Sequence, residues 1–191
     1  MVAFDSLQIG GARFEGLQAA VRDMRELPDG EKVDGVLGFG LFRECLLTLD
    51  YPGNAVRLAR GELPAAADVI AFTREDGVPT TRITVAGRPM DAHVDSGFMG
   101  GLALAEAEAE GLPLAAPPKV VGMARTISNT FEIKAAPLDA NVVIGPVVLE
   151  RPMVEFQPVF PMANVGARIL RDLSVTFDQK NNRMRVAKPA R

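Results

Sequence analysis

The residues best suited to chemistry in this chain are Asp95, Ser96 and Gly97, which directly follow an alternating segment. An Asp at the end of a strand, followed by a small hydroxyl residue and a glycine, is a carboxylate held in a tight turn. The Ser96 hydroxyl can donate a hydrogen bond to a neighbouring carboxylate, and Gly97 lets another backbone segment approach closely. Taken alone, Asp-Ser-Gly marks a turn more often than a site, so its surroundings must decide between the two.

The composition of the chain excludes several other kinds of site. The 191 residues include 21 Lys and Arg, 24 Asp and Glu, one His and one Cys, which gives a formal net charge of −3. The weak negative charge argues against nucleic-acid binding, which needs a basic face. A single Cys excludes an intrachain disulfide and Cys-rich zinc motifs, and a single His excludes Ser-His-Asp and Cys-His chemistry except around His93. What remains is carboxylate, hydroxyl and backbone chemistry.

The sequence predicts neither a membrane span nor a signal peptide. No stretch reaches the ~18 uninterrupted apolar residues of a spanning helix. Residues 1–11 lack the basic start and apolar core of a signal peptide. The compartment is therefore left unassigned.

The elements that would position Asp95 are mostly strands. Apolar and polar residues alternate over residues 81–85 and 90–94, as in half-buried strands, with a turn at 86–89 between them. Residues 141–149 are nearly all apolar, as in a strand covered on both sides. Short helices are predicted over residues 102–110 and 167–172, with a weaker signal over 16–26. The sequence therefore predicts an all-β fold.

The two ends of the chain contain an internal repeat. Residues 38–59 align without a gap with residues 166–187, at a constant offset of 128. Most of the positions that differ are apolar in both copies. Each copy is therefore predicted to begin with a Gly and a short helical turn, followed by a strand, a tight turn and a returning strand. The identical pairs are Gly38/Gly166, Arg43/Arg171, Thr48/Thr176, Asp50/Asp178, Asn54/Asn182, Arg57/Arg185 and Ala59/Ala187.

The repeat predicts the domain organisation. Nothing in the first copy corresponds to residues 78–101, which hold Asp95. We therefore predict the second half of an upstream unit over residues 1–62, a joint over 63–66 and a complete unit over 67–191. Because the strands of the half unit lack partners, we expect them to pack against the complete unit or a second chain.

The order of these features resembles the retropepsin-like aspartic proteases, including the gag-type and bacterial members. Asp95-Ser96-Gly97 matches the Asp-Thr/Ser-Gly signature of the family, and Asn164-Val165-Gly166 falls on the apolar-apolar-Gly motif that packs beneath the catalytic loop. Residues 119–133 fall where the family has its flap hairpin. The resemblance covers essentially the whole chain. It implies one complete barrel-like lobe with the C-terminal half of a second lobe beside it.

For function, the resemblance implies an aspartic endopeptidase that acts on a peptide or protein substrate without a metal or organic cofactor. One group of residues would form the catalytic turn, a second the flap, and a third the support beneath the turn. Because each half-site contributes one Asp, a chain with one Asp-Ser-Gly would need to form a homodimer or a two-lobed assembly. The implied site residues are Asp95, Ser96 and Gly97 in the turn, Val121, Gly122 and Met123 in the flap, and Val165 and Gly166 in the support.

The sequence departs from the family pattern at three places. Asn164 is polar where the family usually has an apolar residue, and the flap region has Gly122 instead of several glycines. The upstream unit has no Asp-Ser/Thr-Gly. The last departure leaves an alternative of another class, a non-catalytic protease-like module that binds peptides or mediates assembly.

Overall fold

The computed structural model describes residues 1–21, 34–75, 77–125, 130–158 and 161–188. Strands dominate these ranges, which confirms the predicted all-β class. Two 3-10 turns lie at Phe39–Phe42 and Glu106–Gly111, and a helical turn, α1, spans Ala167–Leu170. The strands in chain order are β1 (Val2–Ile9), β2 (Ala12–Ala19), β3 (Leu46–Asp50), β4 (Ala55–Ala59), β5 (Val69–Ala71), β6 (Thr73–Glu75), β7 (Val78–Val85), β8 (Arg88–Val94), β9 (Leu102–Ala105), β10 (Lys119–Arg125), β11 (Thr130–Pro137), β12 (Val142–Ile144), β13 (Val147–Leu149), β14 (Met153–Gln157), β15 (Ala163–Val165), β16 (Ser174–Asp178) and β17 (Arg183–Ala187).

The chain divides into two compact units, Met1–Arg43 and Glu44–Arg191. The first unit is an antiparallel hairpin of β1 and β2, whose register runs from Val2 opposite Ala19 to Ile9 opposite Ala12. Within this unit the rings of Phe14 and Phe42 meet edge to face at 5.8 Å.

The second unit contains a ten-stranded sheet that carries the predicted site. Its strands run in the order β10-β11-β14-β9-β15-β8-β7-β12-β13, with β6 paired to β7. Within the described ranges this order has two open ends, so the sheet does not close into a barrel. β15 lies between β8, to which it is parallel, and β9, to which it is antiparallel. The side chains buried most deeply in this sheet include Ile83, Val85, Leu102, Leu104, Val154 and Phe156.

The second unit also contains a five-stranded sheet in the order β4-β3-β16-β17-β5. Here the two copies of the repeat meet, because β3 of the first copy pairs antiparallel with β16 of the second. Thr48 lies opposite its repeat equivalent Thr176, and their hydroxyl oxygens are 2.8 Å apart. Strand β3 (residues 46–50) of the predicted half unit therefore pairs with β16 of the predicted complete unit, and β4 pairs with β3.

The structure corrects three details of the predicted elements. Residues 102–105 form strand β9 and only 106–111 a helical turn, because β9 is buried between β14 and β15. Residues 141–149 form two short strands around Gly145, which has a positive φ. Residues 16–19 belong to strand β2, and most of the rest of the predicted helix over 16–26 lies outside the described residues. The domain boundaries predicted from the repeat remain a prediction.

Candidate active site

Asp95 lies directly after β8, at the start of a turn that leads to β9. Its backbone N–H donates to the carbonyl of Val165 at 3.0 Å, which continues the pairing of β8 with β15. Its Oδ1 accepts the N–H of Gly97 at 2.8 Å, and its carbonyl accepts the N–H of Phe98 at 3.2 Å. Asp95 is half-buried and Ser96 is exposed. The turn therefore holds a carboxylate in a fixed position with access to solvent.

The turn rests on the segment that contains Val165 and Gly166. Gly166 N–H donates to the Gly101 carbonyl at 2.8 Å, and Ala167 N–H donates to the Phe98 carbonyl at 2.7 Å. A Cβ on Gly166 would lie 2.5 Å from the carbonyl oxygens of Gly100 and Phe98. Only glycine fits this close approach of two backbones. The structure thus brings Asp95-Ser96-Gly97 and Val165-Gly166 together.

Glu155 supports the same turn from β14, and the sequence analysis did not identify it. Its side chain is buried, and its Oε1 accepts from Gly101 N–H at 3.2 Å and from Arg168 Nη1 at 3.3 Å. Its Oε2 accepts from Gln157 Nε2 at 3.2 Å. A buried carboxylate needs such partners, since an unpaired charge is costly to bury. The signal available in the sequence was a charged residue inside the apolar run Met153-Val154-Glu155-Phe156.

Tyr51 is a second residue that the sequence analysis missed. It follows β3, and its side chain makes a hydrogen bond with the Ser96 side chain. Burial raises the pKa of Tyr51, and the charge of Asp95 raises it further, while the hydrogen bond with Ser96 acts to lower it. A phenol from the first copy of the repeat therefore contacts the Asp95 turn.

An open groove lies beside this contact. Its volume is about 360 Å³. The residues that line it come from the β3–β4 hairpin and from the Asp95 turn: Leu49, Asp50, Tyr51, Asn54, Ala55, Val56 and Ser96. A polypeptide or another ligand bound there would lie next to Ser96.

The predicted flap residues Val121, Gly122 and Met123 lie on β10. This strand forms a hairpin with β11, and the register shifts between Val120 and Gly122. Val121 and Met123 are 62% and 60% exposed. The hairpin is at one end of the ten-stranded sheet, where three strands separate it from β8. The tip of the predicted flap, residues 126–129, lies outside the described residues.

The described residues contain neither a metal-ligating cluster nor a membrane-spanning helix. No group of three or more His, Cys, Asp or Glu side chains in this part of the chain is arranged to hold a metal ion. None of its helices is long and apolar enough to cross a membrane.

Two aspartic-type and retroviral protease structures are among the solved structures similar to this chain. A retropepsin-like aspartic protease from Rickettsia conorii is 20% identical, with a TM-score of 0.47, over 62% of this chain and 87% of that chain. The EIAV protease, in complex with the inhibitor HBY-793, is 19% identical, with a TM-score of 0.39, over 50% of this chain and 86% of that chain. No family model matches the chain, and neither does any curated protein. The first of these structures has the family name that the sequence resemblance gave.

Proposed function

We propose that the protein is an aspartic endopeptidase in which Asp95 supplies one carboxylate of the catalytic pair. The observation that carries the proposal is the turn at Asp95. Its carboxylate is fixed by the Gly97 N–H and remains partly accessible, while the N–H groups of Gly166 and Ala167 fasten the turn to the sheet through two short backbone hydrogen bonds. A rigid, accessible carboxylate is the arrangement that acid–base catalysis on a bound water needs.

The chemistry requires a second carboxylate facing Asp95. Two carboxylates at close range share one proton, because two negative charges that near to each other are not stable together. The ionised one takes a proton from a bound water, which attacks the scissile carbonyl carbon, while the protonated one donates to the carbonyl oxygen. The C–N bond then breaks as the leaving nitrogen is protonated, and no covalent intermediate with the enzyme forms.

The second carboxylate must come from outside this Asp-Ser-Gly turn. The sequence contains the motif once. In the described part of the chain, the hydrogen-bond partner of the Asp95 carboxylate is the N–H of Gly97 and not another carboxylate. The proposal therefore includes a second copy of the chain or a second lobe that brings its own Asp to the site.

The substrate in this proposal is an extended peptide. Val121, Gly122 and Met123 would cover it as a flap, because β10 presents exposed apolar side chains on a hairpin with an irregular register. An extended peptide would gain backbone hydrogen bonds from such a hairpin, and closure would exclude water from the site.

Peptide hydrolysis measured over a range of protein concentrations tests the proposal. We expect cleavage of an unstructured peptide mixture with an optimum on the acid side of neutrality, because one of the two carboxylates must hold a proton. Specific activity should fall on dilution below the dissociation constant of the assembly. A hydroxyl-containing peptide analogue of the transition state should inhibit the reaction. Protein that is inert at every pH and concentration would contradict the proposal.

The second candidate function is a protease-like module that binds peptides without cleaving them. It is supported by the single Asp-Ser-Gly of the sequence, because the predicted half unit brings no second motif of this kind. The two functions differ in how tightly the protein would bind the transition-state analogue compared with the uncleaved peptide. A module of this kind would bind the transition-state analogue and the corresponding uncleaved peptide about equally, whereas the enzyme would bind the analogue at least about 10²-fold more tightly.

A further inference from the structure

The two repeat hairpins have matching hydrogen bonds as well as matching sequences. Asp50 Oδ1 accepts from Gly53 N–H at 3.2 Å, and its equivalent Asp178 Oδ1 accepts from Asn181 N–H at 3.2 Å. Asn54 and its equivalent Asn182 both have left-handed backbones, with φ of 46° and 51°. β3 and β16 pair symmetrically about Thr48 and Thr176. The two hairpins are therefore related by a local two-fold axis.

Residues 63–72 cover the second hairpin, β16–β17. Their strand β5 pairs antiparallel with β17, so that Val69 to Ala71 lie opposite Arg185 to Arg183. Phe72 N–H donates to the Asn182 carbonyl at 3.0 Å, and the Phe72 ring meets Phe177 edge to face at 5.8 Å.

Polar contacts fix the start and the middle of this covering segment. Leu63 N–H donates to Asp178 Oδ2 at 2.9 Å. Asp68 pairs with Arg185 of β17 at 2.8 Å. The covering segment is therefore bound by an edge strand, one aromatic contact, one ion pair and one buried carboxylate.

The first hairpin, β3–β4, lacks such a cover in the described part of the chain. β4 is the outermost strand of its sheet, and Val56 is 60% exposed, whereas its equivalent Met184 is 0% exposed. The open groove of about 360 Å³ lies here, because Leu49, Asp50, Asn54 and Val56 line it. At the second hairpin, the equivalents of these four residues all contact or pair with residues 63–72. They are Phe177, Asp178, Asn182 and Met184.

We propose that this groove and the edge of β4 bind an extended segment of another polypeptide with the chemistry of residues 63–72. The local two-fold axis sets the register, with the added strand antiparallel to β4 and centred on Val56. An aromatic side chain would pack on Leu49 as Phe72 does on Phe177. The Asn54 carbonyl would accept a backbone N–H, as that of Asn182 does.

The charges on the first hairpin favour the same occupant. Arg57 is the equivalent of Arg185, and it is paired with Asp50 of its own hairpin. An incoming acidic residue in the place of Asp68 would pair with Arg57, and Asp50 could then accept a backbone N–H as Asp178 does. One contact has no counterpart, since Ala55 replaces Arg183, whose Nη1 donates to the Leu63 carbonyl at 3.0 Å.

The bound segment must come from a polypeptide in which the residues equivalent to 63–72 do not already pair with a strand of their own chain. In a second copy of this chain, residues 63–72 would be paired with that copy's own β17, as they are here. The partner is therefore a polypeptide that contains the pattern Leu-Pro-…-Asp-Val-Ile-x-Phe. In this partner, no strand equivalent to β17 already pairs with that segment. This inference does not depend on peptide hydrolysis, since it concerns strand addition alone.

A synthetic peptide with the sequence of residues 62–73, ELPAAADVIAFT, tests the proposal with the full-length protein. Tyr51 is the sole tyrosine of a chain without tryptophan, and the peptide has neither residue. Tyrosine fluorescence therefore reports on the groove directly, and calorimetry measures the binding. We expect saturable binding that changes Tyr51 emission. A peptide with Ser in place of its Phe should bind about tenfold more weakly or worse, because it loses the burial of one aromatic side chain.

Matched variants assign the binding to this edge. Val56→Lys should abolish binding and Arg57→Ala should weaken it, with the fold checked by circular dichroism. Val148→Lys is the control, because Val148 is also an exposed valine on a strand, and it should bind like wild type. An absence of binding up to the solubility limit of the peptide would overturn the proposal. So would binding that Val56→Lys leaves unchanged, or self-association of the protein through β4 that excludes the peptide.

Discussion

At the scale of single residues, Tyr51 connects the β3–β4 hairpin to the turn of Asp95. Its side chain makes a hydrogen bond with the Ser96 side chain, and its pKa is raised by burial and by the charge of Asp95. Because the chain contains one tyrosine, ionisation of this phenol can be followed without labels. The pKa of Tyr51 therefore reports on the electrostatics next to the proposed catalytic carboxylate.

We predict that Asp95→Asn lowers the pKa of Tyr51, although burial still keeps it above the ordinary value. The variant removes one of the two causes that raise the pKa and keeps the shape of the side chain. An ultraviolet absorbance titration of the phenolate measures the shift. Asp91→Asn is the control, because Asp91 is exposed and paired with Arg82. An equal pKa in wild type and Asp95→Asn would contradict this reading of the Tyr51 environment.

The equivalent residues Asp178 and Asp50 have different surroundings, which allows a matched prediction of stability. Asp178 is buried, and although burial acts to raise its pKa, hydrogen bonds from Asn181 and from the Leu63 and Lys180 backbones outweigh burial and lower the pKa. We predict that Asp178→Ala lowers the free energy of unfolding by about 1–3 kcal/mol, because buried donors lose their acceptor. Asp50→Ala should change it much less, since Asp50 lies on the uncovered hairpin. Chemical denaturation of both variants measures the difference.

The same carboxylate predicts a pH dependence with a defined sign. Because the folded-state pKa of Asp178 is lowered, its stabilising effect is complete above the ordinary pKa near 3.8 and is lost as the pH falls through the folded-state value. The stability difference between wild type and Asp178→Asn should therefore be largest near neutral pH and shrink below about pH 4. A difference that grows as the pH falls would contradict the assigned hydrogen bonds.

At the scale of elements, the Asp95 turn depends on the close contact between β15 and the loop before β9. We predict that Gly166→Ala destabilises the protein by about 1–3 kcal/mol and displaces the turn, because its Cβ would collide with the backbone of Phe98 and Gly100. Gly101→Ala lies in the same loop, where a Cβ would meet nothing within 4 Å. It should leave stability and the turn nearly unchanged. Thermal unfolding and amide spectra of the two variants test this contrast.

Glu155 gives a second prediction for the same element. Glu155→Ala leaves the Gly101 N–H and Arg168 without their acceptor, so we expect a loss of about 1–3 kcal/mol in unfolding free energy. Glu106→Ala is the control, because the Glu106 ion pair with Lys134 is largely exposed and such pairs contribute little. Equal losses in the two variants would argue against a supporting role of Glu155 beneath the turn.

Some of the strands could be predicted from the sequence, and others could not. The hairpin of β7 and β8 follows from alternation and from the Ala86-Gly87 turn, both of whose residues have positive φ in the structure. The repeat predicted β3–β4 and β16–β17 because their faces are set by local pattern. β9 was predicted as a helix, because its Leu and Ala residues favour helices and its burial between β14 and β15 leaves no local signal. Tyr51 and Glu155 were missed because both reach the Asp95 turn from strands distant in the sequence.

At the scale of the whole second unit, two repeat hairpins meet about a local two-fold axis and differ in what covers them. Residues 63–72 cover β16–β17, while β4 remains an open edge among the described residues. In the described residues, the Asp95 carboxylate accepts a hydrogen bond from the N–H of Gly97. In the two proposals, a further polypeptide would supply a second carboxylate at Asp95 and an added strand at the edge of β4.

The proposed activity depends on Asp95, and the most direct measurement is the rate of peptide hydrolysis by Asp95→Asn beside wild type. Folding of each protein is checked by circular dichroism, and Asp91→Asn is the matched control, because Asp91 is an exposed carboxylate four residues before Asp95. We predict that Asp95→Asn loses at least about 10²-fold in kcat/KM while Asp91→Asn keeps wild-type activity. Full activity in Asp95→Asn would contradict the assignment of Asp95 as the carboxylate that activates water.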